Sequence, residues 1–274
     1  EPPKSGMTWD EYTEYCRELK TKLPEGVYPS YDCTIYGPYT EFTFSYLRSY
    51  EPDIVTPDGK QLAVDSSVLK DYLSYWEMMR DEGLSPNAQI MAEQAGKIWE
   101  EHMFTAGKVA TFFTNSNQLE YYQRIMQDKV AWVRAPVIPD APYPKSEFFM
   151  SVGLGISKTS QVKDEAAKLI DWFCNTKEVQ LIYNMEFGTP ANSNVLKWLE
   201  EEGKLTEAVE VPSKYMEEIS QDTPPTTMTN STLQSVFDAE WLACQQEVGF
   251  KTKTIDQAVD EFVAIANDRL ANES

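Results

Sequence analysis

Short apolar runs of strand type, each followed by a stretch of helical periodicity, constrain the fold more than any other feature of the sequence. Residues 28–35 form one such run, and helical spacing resumes through Phe42, Tyr46 and Tyr50. Residues 109–113 (Val-Ala-Thr-Phe-Phe) form a second, with Asn115-Ser116-Asn117 at the carboxyl end and another helical stretch beyond. Further strands are predicted over 130–137 and 148–157, and Pro57-Asp58-Gly59-Lys60 reads as a hairpin turn between Ile54-Val55 and Leu62-Val64. Strands alternating with helices point to an α/β fold with a largely parallel sheet.

The helices carry their own punctuation. Thr8-Trp9-Asp10-Glu11 is a capping box, followed by an apolar stripe of Trp9, Tyr12, Cys16, Leu19 and Leu23. Asp65 can cap a helix whose core face is Leu69, Tyr72, Leu73, Trp76 and Met79. Residues 92–103 are predicted helical, then two helices through Ala166–Phe173 and Val179–Met185, and a short one near 212–219. Near the carboxyl end one helix places Leu233, Val236, Phe237, Trp241, Cys244 and Val248 on a face. A second capping box, Thr254-Ile255-Asp256-Gln257, opens the final helix.

Composition excludes several functions. Across 274 residues, 24 Lys plus Arg stand against 44 Asp plus Glu, a formal charge of −20. That surface disfavours nucleic acid and anionic lipid, both of which require cationic side chains. No apolar run approaches a membrane span; the first residues, Glu1-Pro2-Pro3-Lys4, do not read as a signal peptide, so the address of an exported parent is expected outside these residues. The cysteines, Cys16, Cys33, Cys174 and Cys244, lack metal-ribbon or C-x-x-C spacing. All four are expected as structural thiols, Cys16, Cys174 and Cys244 on apolar helix faces, with a disulfide through Cys33 as the alternative. His102, the one histidine, is expected to be exposed or at a helix end. A lone histidine rules out multi-histidine zinc sites and leaves a single candidate for any histidine-based triad. No cofactor is expected.

Several segments in order resemble the extracellular solute-binding proteins of ABC importers, family 1, a group of maltose-binding-protein type. Pro2-Pro3-Lys4 with Thr8-Trp9-Asp10-Glu11-Tyr12 looks like that family's crossing between lobes and the helix after it. Phe104-Thr105-Ala106-Gly107-Lys108-Val109-Ala110 is similar to its F-x-x-G-K-x-A segment, and Pro136-Val137-Ile138-Pro139 to its P-x-P segment. Gly153-Leu154-Gly155-Ile156-Ser157-Lys158 resembles its strand returning to the other lobe. Ala166–Phe173 and Gly188-Thr189-Pro190-Ala191 are similar to the helices and loop that come next.

The resemblance implies an α/β fold of periplasmic-binding-protein type II, a C-terminal lobe plus part of the N-terminal lobe, with 1–150 as the first part of the C-terminal lobe. Residues 151–223 become a return segment of the N-terminal lobe, and 224–274 the final helices of the C-terminal lobe. It also implies that the chain lacks the first part of the N-terminal lobe, so that helices within 152–222 expose apolar surface. The implied function is non-enzymatic capture of an extracellular mono- or oligosaccharide in a cleft between lobes and delivery to permease subunits. The location would be a periplasm or the outer face of a bacterial membrane, with membrane contact only through the permease or a lipid anchor.

Candidate ligand-binding residues are Tyr36 and Tyr39 after the first strand, Asn115 and Asn117 after the second, Met150 and Val152 at a crossing, and Phe237 and Trp241 near a late aromatic contact. Aromatic faces stack on sugar CH groups, and amides and hydroxyls take sugar hydroxyls. Three of the four pairs have a plain structural alternative: a capped loop for the tyrosines, a helix N-cap by Asn115 or Ser116, ordinary core for Phe237 and Trp241. Asn117 stands where maltose-specific members carry a stacking tryptophan, and Met150 and Val152 where many relatives carry glycines and a tryptophan, which points away from maltodextrin. Four functions stay open: a sugar receptor, a receptor for a polyamine, peptide or phosphorylated metabolite, a glycoside hydrolase with paired carboxylates, and a protein-interaction module.

Overall fold

Thr8 starts the first helix as its capping box requires: its Oγ1 accepts from the Glu11 amide at 3.1 Å, and Glu11 Oε2 accepts from the Thr8 amide at 2.7 Å. The helix, α1 (Trp9–Lys20), buries Tyr12, Thr13 and Cys16. This computed structural model describes residues 1–35, 40–94, 96–147, 153–186, 188–224 and 231–273.

Strand β1 (Tyr28–Ser30) follows, then α2 (Thr40–Arg48), α3 (Ser66–Asp81) and α4 (Ala88–Ala92). Strand β2 (Val109–Thr111) pairs with β1 in parallel, Tyr28 opposite Val109 and Ser30 opposite Thr111. Asp65 caps α3 by accepting from the Ser67 amide at 2.8 Å, and Gly83, at φ +62°, takes the left-handed turn past its end. Beyond a 3₁₀ turn at Ser116–Gln118 come α5 (Leu119–Ile125), α6 (Lys163–Asn175), α7 (Lys177–Tyr183), α8 (Asn194–Glu201) and α9 (Glu207–Ser220). The chain closes with α10 (Ser231–Val236), a π-helical turn (Phe237–Trp241), α11 (Leu242–Gly249) and α12 (Ile255–Glu273). The Thr254 capping box forms in both directions.

The sheet is smaller than the sequence predicts, for local reasons. After Ser30 the Asp32 carboxylate takes the Thr34 amide at 2.8 Å, which turns the backbone away from a ladder across 31–35. Residues 130–137 give only a single parallel bridge, Val137 to Thr8; Pro136 has no N–H to donate, and the amides of Val130 and Arg134 go to the side chains of Gln123 and Ser5. The hairpin over 54–64 likewise reduces to one antiparallel bridge, Val55 to Leu62. Of the strand predicted over 148–157, residues 148–152 lie outside the described residues and 153–157 are irregular. The helix predicted over 92–103 is one 3₁₀ turn, Trp99–Glu101, interrupted upstream by Gly96 at φ +76°.

The chain divides into two compact units. The first comprises Glu1–Thr114, Val133–Phe148 and Gln221–Ser274; its core gathers α1, α2, α3 and the carboxyl-terminal helices around Phe44, Tyr72, Trp76, Trp241 and Phe262. The second comprises Asn115–Trp132 and Phe149–Ser220 around Met185, Val195, Leu199 and Val209. The expected division at 150 and 223 therefore differs over 115–132, which joins the second unit. There α5 packs on α9, and the Trp132 ring meets Tyr215 edge-on at 5.6 Å. Those contacts connect distant stretches of sequence and leave no local trace.

Other expectations are met in part. Cys16, Cys33 and Cys244 are buried free thiols, but Cys174 is exposed and also free. His102 is buried, packed against Tyr31 at 4.8 Å and Phe112 at 5.0 Å, and its Nδ1 accepts from the Phe104 amide at 3.2 Å. Helix α8 had no counterpart in the sequence reading, although it buries Val195 and Leu199. The exposed apolar surface expected within 152–222 is present: Leu169 is 61% exposed, Trp172 53% and Ile182 84%.

Candidate ligand-binding site

Parallel strands end on one edge, so the segments leaving β1 and β2 emerge side by side. Tyr12 joins the two strand ends: its hydroxyl donates to Ser30 Oγ at 2.9 Å and lies 2.6 Å from Thr111 Oγ1. Thr111 Oγ1 in turn donates to the Pro29 carbonyl at 2.8 Å. Burial raises the Tyr12 pKa well above its ordinary value, so the phenol stays a neutral donor.

Beyond β1, a buried ion pair holds the outgoing loop. Asp32 Oδ2 meets Arg80 Nη1 at 2.6 Å, and Asp32 Oδ1 accepts from both the Thr34 amide and its hydroxyl. Arg80 also donates to Thr34 Oγ1 at 3.1 Å. This network anchors the chain immediately before 36–39. Cys33 beside it is driven upward in pKa by burial and stays a thiol. Asp32, Arg80 and Tyr12 were not among the sequence candidates. The Asp-x-Thr pattern directly after an apolar run was the available signal for the turn.

Beyond β2, Phe112 packs on Phe104 at 4.8 Å and Phe113 stacks on Trp9 at 5.7 Å, so both aromatics serve packing. Asn115 follows with extended backbone, φ −72° and ψ 141°, and its side chain caps nothing. The N-cap alternative therefore does not hold for Asn115. Its carbonyl accepts from the Gln118 amide at 2.9 Å, which leaves the side-chain amide uncommitted among the described residues. Asn117 is engaged: its Nδ2 donates to the Glu186 carbonyl at 3.2 Å, within the second unit.

The remaining candidates separate into two groups. Tyr36, Tyr39, Met150 and Val152 lie outside the described residues. Phe237 and Trp241, at 1% and 0% exposure, are core residues of the first unit. Trp241 donates Nε1–H to Thr43 Oγ1 at 3.0 Å and packs on Phe262 at 4.9 Å, while Phe237 packs on Phe44 at 4.7 Å. Their helical spacing expresses packing, and neither ring offers a face to a solute. A surface hollow of about 590 Å³ along α1 and α3, with Asp10, Glu14, Tyr15 and Tyr75 in its lining, contains none of the candidates. Among the described residues no cluster of His, Cys, Asp or Glu is arranged to hold a metal, and no helix is long and apolar enough to cross a membrane.

Residues 2–180 match the sequence model of a family described as bacterial extracellular solute-binding protein. The chain belongs to that family. Solved structures of similar fold include a family 1 extracellular solute-binding protein from Alicyclobacillus acidocaldarius, at 19% identity and TM-score 0.73, covering 97% of this chain and 65% of that one. A periplasmic oligogalacturonide-binding protein from Yersinia enterocolitica, in complex with saturated digalacturonic acid, matches at 18% identity and TM-score 0.76, covering 98% and 67%. The sugar-binding protein MalE from Xanthomonas citri matches at 14% identity and TM-score 0.71, covering 99% and 65%. This solute-binding protein thus has the α/β periplasmic-binding-protein fold, in a helix-rich form, and spans about two thirds of the length of the structures it matches.

Proposed function

We propose that this chain is the larger part of an ABC importer's receptor, which captures an extracellular carbohydrate without chemically altering it. The observation that carries the reading is the family match over 2–180, joined to structural neighbours named for oligogalacturonide and sugar binding. The local geometry supports it. A parallel strand edge is where such folds place ligands, and Asn115, four residues beyond Thr111 in sequence, carries an uncommitted amide, a group suited to sugar hydroxyls. In this reading the first unit corresponds to the C-terminal lobe and the second to part of the N-terminal lobe. Ligand bridging two lobes favours the closed form, which the permease distinguishes from the open one. Tyr36, Tyr39, Met150 and Val152 remain candidates to face the ligand. The receptor works outside the cytoplasm, tethered by a lipid or free in a periplasm.

The test is a thermal-shift panel on the complete receptor against neutral sugars, acidic sugars, polyamines, peptides and phosphorylated metabolites. Ligand at about 100 times its dissociation constant adds roughly 2.7 kcal/mol, a rise of several degrees in Tm. A shift with one saccharide class supports the proposal and identifies the cargo. A shift with only a cationic, peptide or phosphorylated compound replaces the sugar by that cargo. No shift with any compound rejects the receptor reading.

A further inference from the structure

The chain passes between its two units after Thr114, Trp132, Phe148 and Ser220. On the first-unit side, three of these four connections converge on two buried arginines. Arg48, fully buried at the end of α2, donates Nη1–H to the Glu147 carbonyl at 2.5 Å and Nη2–H to the Pro224 carbonyl at 2.6 Å. Its Nε–H goes to the Pro52 carbonyl at 3.0 Å, so one guanidinium ties α2 to the segment leaving the unit and to the segment returning. Arg134 stands two residues past the connection at Trp132. Its guanidinium meets both Asp222 oxygens, at 3.1 and 2.8 Å, donates to the Lys145 carbonyl, and lies 3.5 Å from Glu147 Oε1. The Arg134 backbone is held as well: its amide donates to Ser5 Oγ at 3.0 Å, and its carbonyl accepts from the Gly6 amide at 3.4 Å.

We propose that Arg48 and Arg134 form a clamp that fixes 133–134, 145–147 and 222–224 to one another, so that three connections to the second unit share one anchor and move as one body. The chemistry suits arginine. A planar fork with five N–H donors can engage several backbone carbonyls and a bidentate carboxylate together, which a lysine ammonium cannot reproduce. Burial of a charge is costly, and these sites accept that cost where backbone segments must be fixed. Burial pushes the Asp222 carboxyl upward, but the hydrogen bonds and charges of Arg134 and Lys145 together outweigh it, so Asp222 lies below the ordinary carboxylate range and stays ionised near neutrality. The clamp lies wholly inside the first unit and does not depend on the receptor reading.

Hydrogen exchange on this chain tests the clamp. Arg134→Gln should speed exchange about tenfold in peptides containing Gly6 and Ser146, leaving α3 and α12 unchanged. Asp222→Asn, which alters only the partly exposed partner, should speed the same two peptides by a smaller factor, since the segments are coupled. If Arg134→Gln does not fold, Asp222→Asn decides alone. A change confined to the peptide carrying the substitution, no change in either peptide, or an equal rise in α3 and α12 would overturn the clamp.

Discussion

At the residue scale, burial separates side chains that can meet a solute from those that hold the fold. Asn115→Ala in the complete receptor should weaken ligand binding while leaving Tm within the error of surface controls, because its amide has no partner to lose among the described residues. Trp241→Ala should do the reverse, costing about 3–5 kcal/mol of stability through the cavity left among Tyr72, Phe237 and Phe262. Calorimetric titration beside chemical denaturation separates the two effects. His102 gives a pH-dependent counterpart. Burial lowers its pKa from 6.5 to about 4, so the unfolded chain binds a proton across that interval and the folded chain does not. The contribution of neutral His102 is complete above pH 6.5 and is lost as pH falls toward 4, on the order of 2 kcal/mol by pH 5. Replacing it with Phe, which suits the Tyr31 and Phe112 rings, should remove that share of the slope; urea midpoints at pH 7 and pH 5 measure the difference.

At the scale of elements, α6 and α7 are the anomaly. No residue of α6 is buried, and Leu169, Trp172 and Ile182 face solvent. Leu169→Gln with Trp172→Gln should leave stability within about 0.5 kcal/mol and lower dye binding to apolar surface, checked by denaturation and fluorescence. Helices were the readable part of the sequence, because the stripe behind Thr8 and the face behind Asp65 repeat within one or two turns. Strands were less readable, since pairing is decided elsewhere in the chain: Asp32 diverts the backbone after Ser30, and the Gln123 and Ser5 side chains take the amides of Val130 and Arg134. Apolar spacing reports that a face exists and not what covers it. Phe237 and Trp241 turned out to be covered, whereas the equally regular face of α6 is not. For the candidate site, the strand-end position of Asn115 was legible. The Asp32–Arg80 anchor was not, because it joins residues nearly fifty positions apart.

For the whole molecule, the two units differ in how much they bury. The first packs large aromatics from at least five helices, while the second closes on Met185, Val195, Leu199 and Val209. Unfolding should therefore take two steps, with the second unit first, visible in calorimetry as a broadened or split transition. Exchange should appear early in α7 and α8 while α3 and α12 remain protected. A single sharp transition with uniform exchange would show that the units unfold as one.

The pairing of Tyr28 with Val109 reaches further than the fold description shows. Closing so long a loop has a large entropic penalty that only the completed strand contacts offset, whereas α1 and α3 can form from neighbours in sequence. During folding, the helices around Trp76 thus have a head start over the pairing of the two strands. If the edge those strands form meets the solute as proposed, a newly made chain gains its shape before it gains its grip.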